Sequence, residues 1–494
     1  MRRSLFVAVC SATAVVLALS PAVAAGAKPS PGSRLTNVSL GDPFAACTIG
    51  ADTYGGFDYP AAQVEPSVAV DPHNPERVVT AYQQDRWSDG GAKGLAISWT
   101  ADGRTFHQST LPFSSCAPGG ASYERASDPW VSTGPDGAVY ASGIAFDGSS
   151  PRSAVLAATS TDGGATWVNL TPVIADNDPN VFNDKNSVTA DPTRPGYAYQ
   201  VWNRYSYTSP GGTQQFDGPS YISITHDGGR TWSLARPFVD TSAVPNTQTL
   251  GNLIVVDPRT GTLNCFFNRL TYPDASANIP TAANYEVVSS TDAGQTWSAP
   301  RAVARDTSVP EVDPNAPTDA SKALRAGAQV VSAALDPSNG TQYVAYEGSD
   351  FTGGAHDSIE LVRSTDGGFT WSAPTLVNRR PDAPAFLPSI AVDRHHNVAL
   401  TYYDLRYLRP GNTTTLPTAA WLITFKGGNL SPAAEQQISG VFDWLRAPYA
   451  ESGHFLGDYQ GLAMDGTQVR AVLVLPDPSA AQNLTDVFTG TFPM

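Results

Sequence analysis

Residues 160–167 read Ser-Thr-Asp-Gly-Gly-Ala-Thr-Trp, and this short stretch decides the fold. The same pattern, S/T-x-D-x-G-x-T-W, returns at residues 225–232, 290–297 and 364–371, and a shortened copy occupies residues 100–106. In such a turn the aspartate accepts hydrogen bonds from nearby main-chain amides, and glycine adopts a backbone conformation that other residues resist. The tryptophan then anchors a hairpin in an apolar interior. The pattern therefore predicts repeated β-hairpins.

A longer repeat surrounds these turns. Each copy has an apolar strand, then a turn that is often of the Asp-Pro or Asp-Gly type, and then a second strand rich in Val, Ala and Tyr. The copies begin at or near Glu65, Ser127, Asp184, Gly251, Ala328, Leu387 and Leu456. Recurring strands without helical periodicity are typical of a β-propeller. We expect an all-β propeller of seven blades, with six blades as the alternative.

The last copy is one strand short, because only one further apolar strand, residues 486–492, follows it. A propeller avoids exposed sheet edges by closing its ring. We therefore expect residues 40–53 to supply the missing outer strand of the last blade.

The N-terminus predicts export. Arg2 and Arg3 precede an apolar run from Leu5 to Leu19, and the small-residue site Ala22-Val23-Ala24 follows. This order is that of a secretory signal peptide, and no later stretch is apolar for long enough to span a membrane. We expect a signal peptide over residues 1–24, a flexible mature N-terminus over 25–39, and a single propeller domain over 40–494 of a secreted protein.

The formal net charge is −15. Such a chain has no general affinity for nucleic acid or for an anionic membrane surface. Three cysteines follow the signal peptide, and their spacing matches no zinc pattern. Export permits one disulfide, and we expect Cys47–Cys116, because Cys265 lies in an apolar strand; three buried thiols are the alternative.

Alternate loops of a propeller blade reach alternate faces, so the start of the first strand and the end of the second strand lie beside the axis. The strand starts contribute polar residues, namely Glu65, Asp128, Asp184, Lys185, Asn252, Gln329, Asp458 and Tyr459. The strand ends contribute a second set, namely Arg86, Arg204, Arg269, Glu347, Tyr403 and Arg406. Arg binds carboxylates with two parallel hydrogen bonds and stays charged when partly buried, so these residues indicate an anionic ligand. The alternative is a set of salt bridges between blades.

The S/T-x-D-x-G-x-T-W turn is the Asp box of the bacterial neuraminidase repeat, and over nearly all of its mature length the chain resembles the sialidase superfamily. That resemblance implies a glycosidase that holds the substrate carboxylate with arginines and attacks with a tyrosine nucleophile. It implies Tyr459 or Tyr403 as the nucleophile, with Glu65 or Glu347 beside it. Asp128 would then be the proton donor, and Asp458 adjoins Tyr459.

Two features depart from this family. Glu65-Pro66-Ser67 stands where the opening blade of sialidases has Arg-Ile-Pro, and sialidase rings resemble six blades. Fold alone does not fix function. We expect an exo-acting glycoside hydrolase on an anionic or terminal sugar. The alternatives are a polysaccharide lyase, in which Tyr459 or His454 removes a proton, and a binding propeller with exposed Trp87, Trp130 and Trp202.

The sequence gives no cofactor motif. Calcium is weakly indicated by Asp176-Asn177-Asp178 with Asn183 and Asp184 nearby, because hard cations take such oxygen ligands. A solvated loop is the simpler interpretation, and we expect no metal in the active site. The expected partner is a glycan or small sugar, bound by a monomer.

Overall fold

The computed structural model describes residues 35–49, 56–430, 434–465, 467–477 and 484–494. Within these ranges the chain forms β-strands joined by turns, and the helical elements are three short 3₁₀ turns at Pro210–Gly212, Ala320–Lys322 and Trp444–Arg446. The all-β class is confirmed. The predicted signal peptide (residues 1–24) and residues 25–34 of the predicted tail lie outside the described residues.

The strands of the first half form successive antiparallel meanders, preceded by β1 (Leu35–Asn37). The first meander contains β2 (Asp58–Asp71), β3 (Asn74–Trp87), β4 (Ala92–Thr100) and β5 (His107–Leu111). The second contains β6 (Arg125–Thr133), β7 (Val139–Phe146), β8 (Arg152–Ser160) and β9 (Val168–Asn177). The third contains β10 (Val181–Ala190), β11 (Ala198–Thr208), the short β12 (Gln215–Gly218), β13 (Ser220–Thr225) and β14 (Arg236–Val239). The fourth contains β15 (Thr247–Val256), β16 (Leu263–Thr271), β17 (Ala282–Ser290) and β18 (Arg301–Arg305).

The second half continues in the same way after the isolated strand β19 (Leu324–Arg325). The next meander contains β20 (Ser332–Leu335), β21 (Gln342–Gly348), β22 (Ser358–Ser364) and β23 (Thr375–Leu376). It is followed by β24 (Ala385–Val392), β25 (Val398–Asp404), β26 (Pro417–Phe425) and β27 (Ala434–Gln437). Three short strands come next, namely β28 (Phe442–Asp443), β29 (Tyr449–Ala450) and β30 (Gly453–Phe455). The last sheet contains β31 (Gly461–Met464), β32 (Gln468–Pro476) and β33 (Thr485–Pro493).

The first strands of the meanders form a closed ring. Each contacts the first strand of the next meander, in the order β2, β6, β10, β15, β20, β24 and β31, and β31 contacts β2 again. The chain therefore has a propeller-like architecture. Apolar clusters fill the space between neighbouring sheets, such as the one that contains Leu95, Ile97, Val131 and Leu156.

The outer strand of the last sheet comes from the N-terminal part of the chain. β1 pairs antiparallel with β33, and Leu35 lies opposite Gly490 while Asn37 lies opposite Phe488. The prediction that residues 40–53 supply this strand is wrong in position. Residues 43–46 form a turn instead, and Cys47 is joined to Cys116 in the first meander, which directs this stretch away from the last sheet.

The Asp-box turns have the internal hydrogen bonds that the pattern predicts. In the copy at 160–167, Asp162 accepts from the Thr166 amide at 2.9 Å and from the Thr166 hydroxyl at 2.6 Å. The Ser160 hydroxyl accepts from the Gly164 amide at 2.8 Å, and Gly164 has φ +96°. Asp227, Asp292 and Asp366 have equivalent partners. These carboxylates are therefore committed to their own turns.

The predicted disulfide joins Cys47 to Cys116, with 5.6 Å between the Cα atoms. Cys265 is a buried free thiol in β16. The disulfide ties the segment that follows β1 to the loop after β5, close to the point where the ring closes.

Two long segments outside the meanders meet each other. β19 in the 306–331 segment pairs in parallel with β30 in the 443–460 segment, so that Leu324 lies opposite His454 and Arg325 opposite Phe455. These two segments carry charged residues to the ends of the first strands. Among the described residues no helix is long and apolar enough to cross a membrane.

Candidate functional site

A repeated backbone irregularity positions the central side chains. The pairing of the first and second strands shifts register at Val64/Ser67, Ser127/Trp130 and Asp184/Ser187. Within these bulges Glu65, Asp128 and Lys185 have φ of +54°, +54° and +49°. Side chains other than glycine rarely adopt this region, and β-bulges redirect a side chain from the face of a sheet. Equivalent positions on three successive meanders thus present two carboxyl groups and one ammonium.

Lys185 lies at the centre of the resulting group. Its ammonium forms an ion pair and hydrogen bond with Asp458. It lies 3.9 Å from Glu65 Oε1 and 3.9 Å from Asp128 Oδ2. We call Glu65, Asp128, Lys185, Arg325 and Asp458 the Lys185 cluster.

Arg325 supplies the second cation of this cluster. Its guanidinium donates to Asp458 Oδ2 at 2.7 Å and to Glu451 Oε2 at 2.5 Å. The plane of Arg325 lies over the Phe455 ring, 4.3 Å from its centre, and Arg86 approaches the same ring at 4.9 Å. Asp458 is therefore held between two cations, and Phe455 supports both arginines.

Neutral donors fix the buried acid Glu65. The Gln83 side-chain amide donates to Glu65 Oε2, and its oxygen accepts from Arg86 at 2.8 Å. The Asp458 main-chain amide donates to Glu65 Oε1 at 3.3 Å. Ser127 donates to Asp128 Oδ1 at 2.7 Å, whereas Asp128 Oδ2 is buried without a hydrogen-bond partner. The Glu65 carboxyl group thus contacts the main chain of Asp458.

The surroundings separate the protonation states of these two acids. Burial, reinforced by the neighbouring charge of Asp128, raises the pKa of Glu65 to about 8. Burial also acts to raise the pKa of Asp458, but Arg325 and Lys185 outweigh it and hold that pKa well below its usual range. At neutral pH Glu65 therefore carries a proton and Asp458 is ionised. Pairs of acids with pKa values pushed apart are typical of acid–base sites.

A cleft of about 670 Å³ opens onto one side of the cluster. Its walls include Lys185, Asn284, Arg305, Glu311, Arg325 and Asp458, with apolar surface from Ile279 and Val309. Mixed polar and apolar walls with several side-chain amides suit a sugar, whose hydroxyl groups need hydrogen-bond partners. Glu65 is 1% exposed and lies behind Lys185 and Asp458 rather than on the cleft wall.

Several residues predicted from the sequence converge here. Glu65, Asp128, Lys185 and Asp458 meet directly, and Arg86 lies within 3.8 Å of Glu451. Asp184 accepts from the Lys185 amide at 2.9 Å, and burial together with Asp128 raises its pKa to about 7.

Tyr459 lies close to the cluster with its hydroxyl already engaged. The hydroxyl donates to the Pro129 carbonyl oxygen at 3.1 Å, and the ring packs edge to face on Trp130 at 5.1 Å. Burial and the charge of Glu65 hold its pKa well above the usual range. Tyr403 is buried in an apolar cluster and donates to the Val474 carbonyl oxygen at 2.9 Å, so the structure does not bring it to the cleft.

The other predicted arginines pair with carboxylates away from Lys185. Arg204 donates to Asp176, Arg269 to Glu286, and Arg406 to both Asp404 and Glu435. These contacts fit the salt-bridge alternative, because the described part of the chain gives none of the three an ion pair in the Lys185 cluster. Glu347 lies in a separate acidic group with Glu311 and Asp357.

The structure also shows the surroundings of the residues on which the lyase and binding-propeller alternatives depend. Both ring nitrogens of His454 face carbonyl oxygens, of Ala447 at 2.8 Å and of Ser321 at 3.1 Å. Trp87 and Trp202 are buried, so they form no exposed sugar platform. The stretch that weakly indicated calcium contains an occupied carboxylate, because Asp176 accepts from both Arg204 and Asn183.

The repeat pattern does not predict Arg325 and Glu451 as site residues, because they lie in segments outside the repeat. A signal was nevertheless present in the sequence. The repeat copies that begin at Gly251 and Ala328 are the most widely separated, and those at Leu387 and Leu456 come next. The additional length is the 306–331 and 443–460 segments.

No family model and no curated protein matches the chain. Several solved structures do match the chain. The chain is similar to a protein of unknown function from Dyadobacter fermentans, at 13% identity over 88% of this chain and 98% of that chain, with a TM-score of 0.45. It is also similar to an α-L-arabinofuranosidase from Fusarium graminearum (14% identity, 74% and 93% coverage, TM-score 0.45) and to the Hadza microbial sialidase Hz136 (14%, 75% and 66%, TM-score 0.44). A protein named as a sialidase is thus among the solved structures to which the chain is similar.

Proposed function

We propose that this chain is a secreted, sialidase-like carbohydrate-active protein of seven blades that hydrolyses a terminal sugar in the Lys185 cleft. The observation that carries this proposal is the proximity of two acids of opposite protonation state at neutral pH: Lys185 lies within ion-pair distance of both carboxyl groups, and the Asp458 main-chain amide donates to Glu65. Glycoside hydrolysis needs one carboxylic acid that donates a proton and one carboxylate that acts as nucleophile, base or charge stabiliser. The closed succession of first strands supports the seven blades.

Asp458 takes the role of the carboxylate. It lines the cleft, and two cations hold it ionised. A negative oxygen placed there stabilises the positive charge that develops on the sugar ring during bond cleavage.

Glu65 takes the role of the acid. It holds a proton at neutral pH and contacts the Asp458 amide. Because Glu65 lies behind Lys185 and Asp458, the mechanism requires these two side chains to part when substrate enters. Gln83 and Arg86 hold the carboxyl group in place for that step.

The substrate is either a carboxylated sugar or a neutral terminal sugar. Lys185, Arg305 and Arg325 all line the cleft and would attract a carboxylated sugar. Lys185 and Arg325 are already paired with Asp458, so such a sugar would have to compete with that carboxylate. A neutral terminal sugar meets no such competition.

The experiment is a glycan panel on the purified mature protein, followed in two ways. One assay measures release of reducing sugar or of an aryl leaving group from neutral and acidic glycosides. The other measures the ultraviolet absorbance of an unsaturated uronate. Release without new absorbance, abolished in Asp458→Asn, supports the hydrolase. New absorbance would indicate a lyase, and silence in both assays with measurable glycan binding would indicate a binding propeller.

A further inference from the structure

A second group of acids adjoins the Lys185 cleft, with Glu311 on the wall of that cleft. One carboxylate oxygen from each of Glu311, Glu347 and Asp357 lies within 4.8 Å of the others. Glu347 lies in β21, Asp357 directly precedes β22, and Glu311 belongs to the 306–331 segment. We call these three residues the acidic triad. Three separate parts of the chain thus deliver negative oxygens to one point.

The triad has no compensating cation of its own. Among the described residues, no Lys, Arg or His forms an ion pair with any of its members. Asp458, Asp404 and Asp176, by contrast, each have an arginine partner. Buried carboxylates are normally paired or bound to a metal, because an isolated buried charge is costly.

An unpartnered oxygen points into this group. Glu347 is 0% exposed; its Oε1 accepts from the Leu387 amide at 2.8 Å, whereas its Oε2 is buried without a hydrogen-bond partner. Asp357 is held by the Val309 amide, at 3.0 and 3.2 Å from its two oxygens. Main-chain donors therefore fix the orientation of two carboxylates, and no donor from outside the triad reaches Glu347 Oε2. The Glu347 carboxyl interacts with that of Glu311, so calcium would replace a proton shared within the triad.

Electrostatics act in the same direction. Burial, with the neighbouring carboxylate of Glu311, raises the pKa of Asp357 to about 8. Burial, with Glu311 and Asp357 nearby, also holds the pKa of Glu347 well above its usual range. Either protons or a bound cation must relieve this repulsion.

We propose that the acidic triad is a calcium-binding site. All of its donor atoms are carboxylate oxygens, the ligands that hard cations prefer, and the group contains no His or Cys to favour zinc. Calcium–oxygen bonds of about 2.3–2.6 Å let one ion bridge oxygens with the observed spread. A neighbouring cleft of about 460 Å³, lined by Glu311 and Asp357, provides access for the ion and room for water ligands.

Calcium bound here would fasten one loop to the ring. Glu311 lies in the same segment as Arg325, whereas Glu347 and Asp357 belong to the meander of β20–β23. The ion would thereby anchor the segment that brings Arg325 to Asp458. This role goes beyond the proposed hydrolase, and binding of the ion is measured without any sugar.

The test is isothermal titration of calcium chloride into the mature protein after removal of metal with EDTA, combined with thermal unfolding. We expect one calcium per chain and a higher Tm with calcium. Glu347→Gln and Asp357→Asn should each weaken calcium binding by about tenfold or more, as loss of a ligand does. Without calcium the same variants should unfold at a higher temperature than the wild type, because each removes a buried carboxyl group that must take up a proton when the chain folds.

Asp486→Asn is the matched control, since it removes one partly buried carboxylate that accepts from Ser39 in the last sheet. Its calcium affinity should equal that of the wild type. The absence of calcium binding at millimolar concentration, or unchanged affinity in both triad variants, would overturn the proposal. The opposite expected signs, with and without calcium, separate loss of the site from simple misfolding.

Discussion

The ammonium of Lys185 pairs with the carboxylate of Asp458, although 273 residues separate them in the chain. Lys185 lies at the bulge within β10 and Asp458 just before β31, on different sheets of the ring. Their side chains are 13% and 5% exposed. The contact therefore joins distant parts of the ring through a nearly buried ion pair and at the same time shapes the floor of the cleft.

Removal of the cation should destabilise the protein strongly. Lys185→Met leaves Asp458, Asp128 and Glu65 without their shared ammonium, and breaking a buried pair on one side costs about 3–5 kcal/mol. Urea unfolding monitored by fluorescence measures the loss. Lys322→Met is the control: Lys322 pairs with the exposed Asp319 and donates to the Thr413 carbonyl oxygen, and its removal should cost far less than that of Lys185. Equal losses in the two variants would contradict the central place of Lys185.

Activity should depend on Asp458 more than on Tyr459. Asp458→Asn removes the ionised carboxylate and should lower kcat by about 10²-fold or more, in the range seen when acid–base groups are removed. Tyr459→Phe removes a hydroxyl that donates to a carbonyl oxygen and should leave most of the rate. The measurement is kcat on the sugar identified by the panel. Loss of activity in Tyr459→Phe, with the protein still folded, would support the tyrosine nucleophile that the sialidase resemblance implies.

The stability of the protein should fall as pH rises because of Glu65. Its folded-state pKa, about 8, lies above the ordinary value of 4.5, so its contribution is present below pH 4.5 and is lost as pH rises towards 8. Asp184, Glu360 and Asp357 contribute in the same direction. Thermal unfolding of the wild type and of Glu65→Gln at several pH values isolates the part due to Glu65. We expect the difference in Tm to move in favour of the variant as pH rises, and a constant difference would contradict the raised pKa.

The disulfide should contribute measurably to stability. Cys47 and Cys116 are 69 residues apart in sequence, and a cross-link of such a loop typically stabilises by about 2–4 kcal/mol. The double variant Cys47→Ser with Cys116→Ser should lower the free energy of unfolding by that amount. Cys265→Ser alone leaves the cross-link in place and serves as the comparison. An equal loss on treatment of the wild type with reductant would confirm that the bond itself is responsible.

Local chemistry made the fold predictable from the sequence. The Asp box fixes a turn by hydrogen bonds within eight residues, so Asp162 and Thr166 reveal it without any knowledge of the tertiary structure. The repeat then places Glu65, Asp128 and Lys185 at equivalent strand starts, and the structure brings them together. These three residues come together because the repeat places them at equivalent positions of successive sheets.

The other residues of the site could not be predicted from the sequence, because their positions and partners do not follow the repeat. Arg204 pairs with Asp176 of the preceding meander and Arg269 with Glu286 of the neighbouring strand β17, and no pattern in the sequence reveals such pairing. Arg325 and Glu451 lie outside the repeat and have no register from which a position could be inferred. The closing strand was misplaced for a related reason: a three-residue strand, Leu35–Asn37, has too little pattern to be recognised.

The pairing of β1 with β33 also sets the order of events when the protein is made. Among the described strands, β1 is synthesised first and its partner β33 (Thr485–Pro493) last. Residues 35–37 therefore have no partner strand until residues 485–493 have been synthesised, and the ring can close only from that point on. A chain truncated before residue 485 would lack β33, so β1 and one edge of β32 would have no partner. Unpaired strand edges of this kind promote aggregation.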